Sequence, residues 1–541
     1  MKVAAVNLSL SEQFKDMGHD VLELKPSPGI FVISDDPAVR AFNPDILIQQ
    51  ETLGPRVLLA GMETLKCPGV YWSIDTHLNF FWHRLYARNF DLVLTTQKSW
   101  TEKFEKSGSK NSKWLPWFGR ERPWIPWDQR DKDISFVGRI TEYREVRSWM
   151  AEFLRDYYQV IISDHLSFEQ MLDLYSRTRI VPNESIAGEV NFRIFEASSC
   201  GALVLNQKLT EGISELYEPD REIILFEHVL ELKEKLDFYR HNPGSARRIA
   251  FNGWDITRKK HLPRQRALEM ASFFPMERVK RNSAAMHKNL FLSVFELWEC
   301  QRLKMSEKQI RDMILSLPID EEVLTVIIRL HKNNSQKMTD FLIPILQQKQ
   351  YENDLMVNMT CSVAALDIGR LDLACQFWKR YLLSRDRVFC PADSALQLYL
   401  LWAKELIRKG QGLRQGFMFD HKQHLPQSGM ECLVMASLIE PDSKEILLNI
   451  KRLVQRQPGL ESLVLRIVSR QSLKERNNWR WNLELALYHL KSFRIRAGLE
   501  ELLLGEENAW KNNETGIFMD MLAARDVKGY LRNYLGRAGP R

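Results

Sequence analysis

The stretch Asn191-Phe-Arg-Ile-Phe-Glu-Ala-Ser-Ser-Cys-Gly-Ala-Leu-Val-Leu205 reads as a helix carrying Glu196, closed at Gly201 and followed at once by a buried strand. It sits in a series of short apolar, β-branched runs at 134–137, 160–163, 180–182, 202–206 and 222–225, with helical segments between them. Alternation of that kind builds a parallel sheet from strand-helix-strand units. A second series lies upstream, at 3–8, 21–24, 45–48, 69–74 and 91–95, and Gly18 stops its first helix. Between the two, Trp114, Pro116, Trp117, Pro123, Trp124, Pro126 and Trp127 crowd one segment. Proline at that density prevents regular structure, and the tryptophans suit a packed connector.

From about Arg278 the alternation stops and apolar residues recur at three and four, as in Met313, Leu317, Leu324, Ile327 and Ile328. The sequence therefore predicts an α/β chain of two Rossmann-like, doubly wound domains followed by an all-α, repeat-like domain. The expected boundaries are 1–115, a connector at 116–132, 133–275, and a helical domain at 276–541. Within the last, Ala364, Gly369, Ala374 and Trp378 resemble the core of a tetratricopeptide repeat, without a steady period along the chain.

With 541 residues, 45% of them hydrophobic and 27% charged, the chain is too long for one core and too apolar to be disordered. No apolar run reaches the ~18 residues that cross a bilayer. The first residues read as a strand and not a leader. The seven cysteines include no Cys-x-x-Cys pair, which points to reduced thiols in a cytoplasm and away from disulfides or structural zinc. The net charge of +7 is concentrated late: residues 451–500 hold 11 basic and 4 acidic side chains. The plainest reading of this block, 451–496, is a solvated helix face; an anionic membrane surface or an acidic partner is the functional alternative.

Ligands of doubly wound sheets bind at the carboxyl ends of the strands. In the second series this end carries Gly138 and Arg139, then Arg144, and the helix with Asn191, Arg193 and Glu196; in the first it carries Asp75 and His77. Asp131 and Asp133 have metal-ligand spacing but precede a strand, at the wrong end for a site. His421 and His424 lack a carboxylate set, so no metal is expected. Gly-x-Gly-x-x-Gly and Gly-x-x-x-x-Gly-Lys motifs are missing from the sequence, which removes the usual dinucleotide and nucleoside-triphosphate fingerprints. Aromatic residues among the basic C-terminal helices have core spacing, so nucleic acid is not an expected partner.

Arg193, Phe195, Glu196, Ala197, Cys200 and Gly201, together with Ser135-Phe-Val-Gly-Arg139, Gly212 with Glu215-Leu-Tyr217, and His261, Arg264 and Arg266, resemble the nucleotide-sugar site of GT-B glycosyltransferases, specifically the spore-maturation CgeB-like group. Gly18-His19-Asp20-Val21 and Pro44-Asp45-Ile46 are similar to the opening of GT-B acceptor domains, so the resemblance spans roughly residues 1–275. It implies a metal-independent enzyme without cofactor, using a nucleotide-diphosphate sugar as co-substrate. The departing diphosphate needs cations and helix-end amides, which Arg139, Arg144 and Arg193 would supply. The resemblance gives Glu196 the two ribose hydroxyls. Asn191, Gly138 and Glu215 complete the donor set, and Gly201 and Gly212 would let backbone approach the nucleotide.

Asp75 or His77 would deprotonate the acceptor hydroxyl or bind the transferred sugar; the alternative is an Asp75 helix cap with His77 bonded to a carbonyl. Retaining relatives of the glycogen-synthase type carry a glutamate where this chain has Gly188, with Glu184 and Glu189 on either side. A helical solenoid offers a long concave surface for an extended chain, so the helical domain is expected to bind the acceptor or a partner, and the acceptor is expected to be a protein, such as a bacterial surface or flagellar subunit, or a cell-surface glycan, lipid-linked or polysaccharide. Peripheral contact with an inner membrane would use 451–496. The competing class is a GT-B-like scaffold without catalysis.

Overall fold

The computed structural model describes residues 1–141, 144–208, 212–275, 282–332 and 334–538. The expected domain boundary at 276 and the onset of helix at Arg278 lie outside these residues. The chain folds as two compact units, Met1–Leu115 with Met270–Leu453, and Pro116–Glu269 with Val454–Arg541.

The first unit contains a six-stranded, all-parallel sheet in the order Asp20–Leu24, Lys2–Val6, Ile46–Gln50, Gly69–Ser73, Leu92–Thr95, Ser112–Trp114. The central strands Ile46–Gln50 and Gly69–Ser73 are buried along their whole length, as strands covered on both faces must be. Three strands escape the sequence pattern. Ser112–Trp114 is a short edge strand next to the proline-rich segment, and Gly29–Val32 pairs with Val57–Ala60 in a separate parallel ladder. None has a long enough apolar alternation to be recognised locally.

The second unit contains a five-stranded parallel sheet in the order Val160–Ser163, Lys132–Val137, Thr178–Asn183, Leu203–Gln207, Ile224–Phe226. The tryptophan- and proline-rich segment belongs to this unit. Trp127 is buried in its core, and Trp124 packs edge-on against Phe251 at 5.1 Å.

From Ser283 onwards every regular element among the described residues is a helix, but the helices are shared between the units. Ser283–Glu299 buries Leu290, Leu292, Val294, Phe295 and Leu297 in one core with Tyr71, Trp82 and Tyr86 of the first unit. Near the other end, Trp479, Leu483, Leu490 and Phe518 share a core with Phe136, Ile224 and Phe226 of the second. Amphipathic helices gain most of their stability by burying a face, and here the faces of the two sheets' own layers receive them. The residues expected as a repeat core form a helix pair, Leu355–Asp367 and Leu371–Leu383, whose turn places Gly369 at φ +76°. No described helix is long and apolar enough to cross a membrane.

Candidate functional site

The helix Phe192–Ser199 starts at Asn191 and ends where Gly201 takes φ +75°, a conformation that side-chain-bearing residues adopt at a cost. Gly201 is buried, and a Cβ there would lie 2.6 Å from an Arg130 nitrogen and 2.9 Å from the Trp124 ring. The close approach it permits is to these two side chains. Gly119 makes a second close approach: a Cβ there would meet the Phe195 carbonyl and the Ser199 side chain at 2.9 Å. The chain thus crosses tightly over the helix and carries Arg120 beside it, where the Arg120 amide donates to Ser199 Oγ at 3.2 Å.

Glu196 is half-buried on this helix. Among the described residues its carboxylate has neither a hydrogen bond nor an ion-pair partner, while its backbone carbonyl accepts from Ser199. Burial pushes the carboxyl up to about 7, and the charges of Arg193 and Arg120 pull it down without prevailing. A carboxyl left in this state is short of donors. Burying a polar group without partners costs ~1–3 kcal/mol, which a ligand bringing hydroxyls would relieve.

Arg193 is buried and mostly committed inward. Its Nε donates to the Val137 carbonyl at 2.9 Å, Nη1 donates to Asn183 Oδ1, and the guanidinium lies 4.4 Å from the centre of the Phe136 ring. It therefore ties the helix to the ends of two strands. Gly138 is what makes room, since a Cβ there would come within 2.4 Å of Arg193 Nη2. Arg139 follows, exposed and without a carboxylate partner among the described residues. Arg144, at the start of Glu145–Tyr157, is part-buried, and desolvation, reinforced by Arg147, holds its pKa below the usual range. Asn191 donates through Nδ2 to the Glu184 carbonyl at 3.0 Å and leaves a buried Oδ1 unpartnered.

Gly138, Asn191 and Arg193 thus meet where the strands Lys132–Val137 and Thr178–Asn183 end, Arg139 and Arg144 lie in one another's field beside Glu184, and Glu196 follows Arg193 by one turn of the helix. Gly212 opens the short helix Ile213–Leu216 at φ +79°, and Glu215 is exposed on it. The two glutamates beside Gly188 are engaged elsewhere. Glu184 accepts from Arg147 Nε at 2.8 Å, and Glu189 accepts from Ser185 Oγ and from the amides of Ile186 and Ala187 in its own loop. Asp131 pairs with Arg177 and Asp133 with Arg240.

In the first unit, Asp75 and His77 follow the strand Gly69–Ser73 at the start of Thr76–Tyr86. The Asp75 side chain makes no capping bond, and the Nδ1 of the buried His77 has no partner among the described residues, so neither half of the alternative cap reading is present. Sequence reasoning missed the group beneath them. Glu51, buried, accepts from the amides of Ile74 and Asp75 at 2.7 and 2.8 Å and from Asn79 Nδ2 at 2.7 Å. Its burial favours the neutral acid, but His83, Arg56 and the amide bonds outweigh it, and the carboxyl falls below its usual range. Burial pushes His83 down as well, and Arg56 lies 3.6 Å from the same carboxylate. The signal was the polar run Gln49-Gln50-Glu51 at the end of an apolar strand. Arg120 was missed because its segment reads as packing material.

Residues 120–272 match a family model described as glycosyl transferase-like. The match begins at Arg120 and takes in Gly138, Arg193 and Glu196. No curated protein matches the chain. Solved structures similar to it include sucrose-phosphate synthase from Thermosynechococcus elongatus, at 12% identity and TM-score 0.38, covering 50% of this chain and 98% of that one. Anabaena Alr3699/HepE in complex with UDP-glucose is 14% identical at TM-score 0.34, covering 50% and 100%. The pneumococcal O-GlcNAc transferase GtfA in complex with UDP and GlcNAc is 10% identical at TM-score 0.30, covering 42% and 56%.

Proposed function

We propose that this chain is a GT-B glycosyltransferase that binds a nucleotide-diphosphate sugar in its second sheet unit. The observation that carries the reading is the Glu196 carboxylate: half-buried, without a donor among the described residues, and inside the segment that matches the glycosyl transferase-like family. Two vicinal hydroxyls of a ribose supply the pair of donors such a carboxylate lacks. Arg139 and Arg144 at the strand end meet the diphosphate, and Arg120 adds a cation near Glu196. Arg193 acts through its hold on Val137 and Asn183, as a positioning residue for that end of the sheet. Asp75 and His77 serve the acceptor, with Glu51 fixing their turn. The acceptor is a protein or a cell-surface glycan, and the helices hold it.

The engagement of Glu184 and Glu189 favours one rival, a shell that binds nucleotide without turnover. Transfer and hydrolysis across a panel of nucleotide sugars separate the two. An enzyme loses turnover by ~10²–10³ in Glu196→Ala while its melting curve stays cooperative. A scaffold shows no turnover with any donor in the parent chain.

A further inference from the structure

Beneath the turn that carries Asp75 and His77 lies a chain of buried polar side chains that the proposed chemistry does not use. Tyr71 Oη and His83 Nε2 are 3.0 Å apart, and His83 Nδ1 and Ser73 Oγ 2.9 Å. From Ser73 the chain continues to Thr76 Oγ1 at 2.6 Å, and from there to Thr95 Oγ1 at 2.8 Å. Glu51 stands 3.4 Å from the same Nε2. Exposure is 1% for Tyr71 and 0% for Ser73, Thr76, His83 and Thr95.

Ser73, His83 and Glu51 have the connectivity of a nucleophile, its base and the group that orients the base. Burial rules that use out, because a hydroxyl closed off from solvent meets no substrate. What the chain does is join separate elements. Ser73 ends the strand Gly69–Ser73, Thr95 ends Leu92–Thr95, Thr76 opens the helix Thr76–Tyr86, and His83 lies about two turns along it. The bond between His83 and Ser73 therefore ties the body of the helix back to the strand before it, across the turn that holds Asp75. The backbone of that turn is pinned as well: Glu51 accepts from the amides of Ile74 and Asp75, and Thr96 Oγ1 donates to the Ile74 carbonyl at 2.6 Å. Buried polar groups are costly when unpaired, so a chain whose members are all paired fixes one arrangement where apolar contacts allow several.

We propose, resting on the reading of Asp75 and His77 as acceptor-side groups, that His83 is a positioning residue which sets, through Ser73 and Thr76, the direction in which those two side chains project. Two substitutions separate positioning from packing. His83→Asn carries an amide close to where Nδ1 lies and keeps a partner for Ser73, whereas His83→Gln carries it close to Nε2 and leaves Ser73 without one. Both remove the ring, so a role in packing alone predicts the same behaviour for both. Ser73→Ala cuts the same link with little change of volume and serves if either His83 variant fails to fold, which melting curves of the full chain verify.

The first readout is the imidazole NMR signals of His77 in the histidine-labelled chain, which need no substrate. They keep their parent positions in His83→Asn and move in His83→Gln and Ser73→Ala. The second is transfer from whichever nucleotide sugar the parent chain turns over: kcat falls at least about tenfold in His83→Gln and Ser73→Ala with the donor KM unchanged, and His83→Asn recovers most of the rate. His77 signals that stay in place in both His83→Gln and Ser73→Ala overturn the inference, as does an equal kcat in the two His83 variants. A parent chain without turnover defeats the enzymatic reading instead, and the NMR signals then decide by themselves whether His83 holds the turn.

Discussion

At Glu196 ionisation works against folding. The carboxyl titrates near 7 in the folded chain and near ~4.3 unfolded, so between these values the folded state holds more protons and stability falls as pH rises toward 7. Glu196→Gln removes this penalty and is expected to raise stability at pH 8 by about 1–3 kcal/mol, measured by denaturant titration. Donor binding runs in the opposite sense, because only the carboxylate accepts two hydroxyls: affinity of the parent chain should rise from pH 6 to pH 8, and calorimetry across that range checks it. A variant more stable than its parent but deficient in binding is the mark of a functional residue carrying local cost. Glu196 was legible in the sequence because Arg193, Cys200 and Gly201 accompany it in one short motif. Arg120 was not, because its proximity to Glu196 depends on Gly119, and a close approach of backbone to helix leaves no local pattern.

At the scale of elements, the helix Phe192–Ser199 is held by two glycines with no room for a side chain, Gly119 against Phe195 and Ser199 and Gly138 against Arg193. Gly138→Ala drives a methyl toward Arg193 Nη2, so the guanidinium has to release Asn183 or Val137; a loss of ~1–3 kcal/mol in stability and weaker donor binding are expected. In the first unit Glu51→Ala strips the acceptor from the amides of Ile74 and Asp75 and from Asn79, leaving Arg56 with a missing counter-charge. Denaturation should register a loss of ~3–5 kcal/mol. If the loss is below about 1 kcal/mol, Glu51 does not hold the Asp75 turn. The strands of both sheets were visible as β-branched runs, whereas the edge strand Ser112–Trp114 gains its structure from pairing with Leu92–Thr95, a pairing the segment itself does not announce.

For the whole molecule, the two sheets could be anticipated from alternation, but the allocation of the later helices could not. Helical periodicity says that a face is apolar without saying which surface covers it, and Phe295 and Phe518 look alike in sequence while lying in different cores. The shared core of Trp479, Leu483 and Phe518 with Phe136 and Phe226 predicts that a chain ending before Val454 loses the second unit's stability. Amide exchange in Lys132–Val137 should become fast in that truncation while Ile46–Gln50 stays protected; equal protection in both strands would contradict the shared core.

The grip of Glu196 on a ribose is tested most directly by calorimetric titration with nucleoside diphosphates and their 2′,3′-dideoxy counterparts, in the parent chain and in Glu196→Gln. The account predicts that one base binds, that removing the hydroxyls weakens it by ~10²-fold in the parent, and that the same removal costs little in the variant, because the two changes delete one interaction. Equal affinity of the parent chain for ribose and dideoxyribose forms would contradict it.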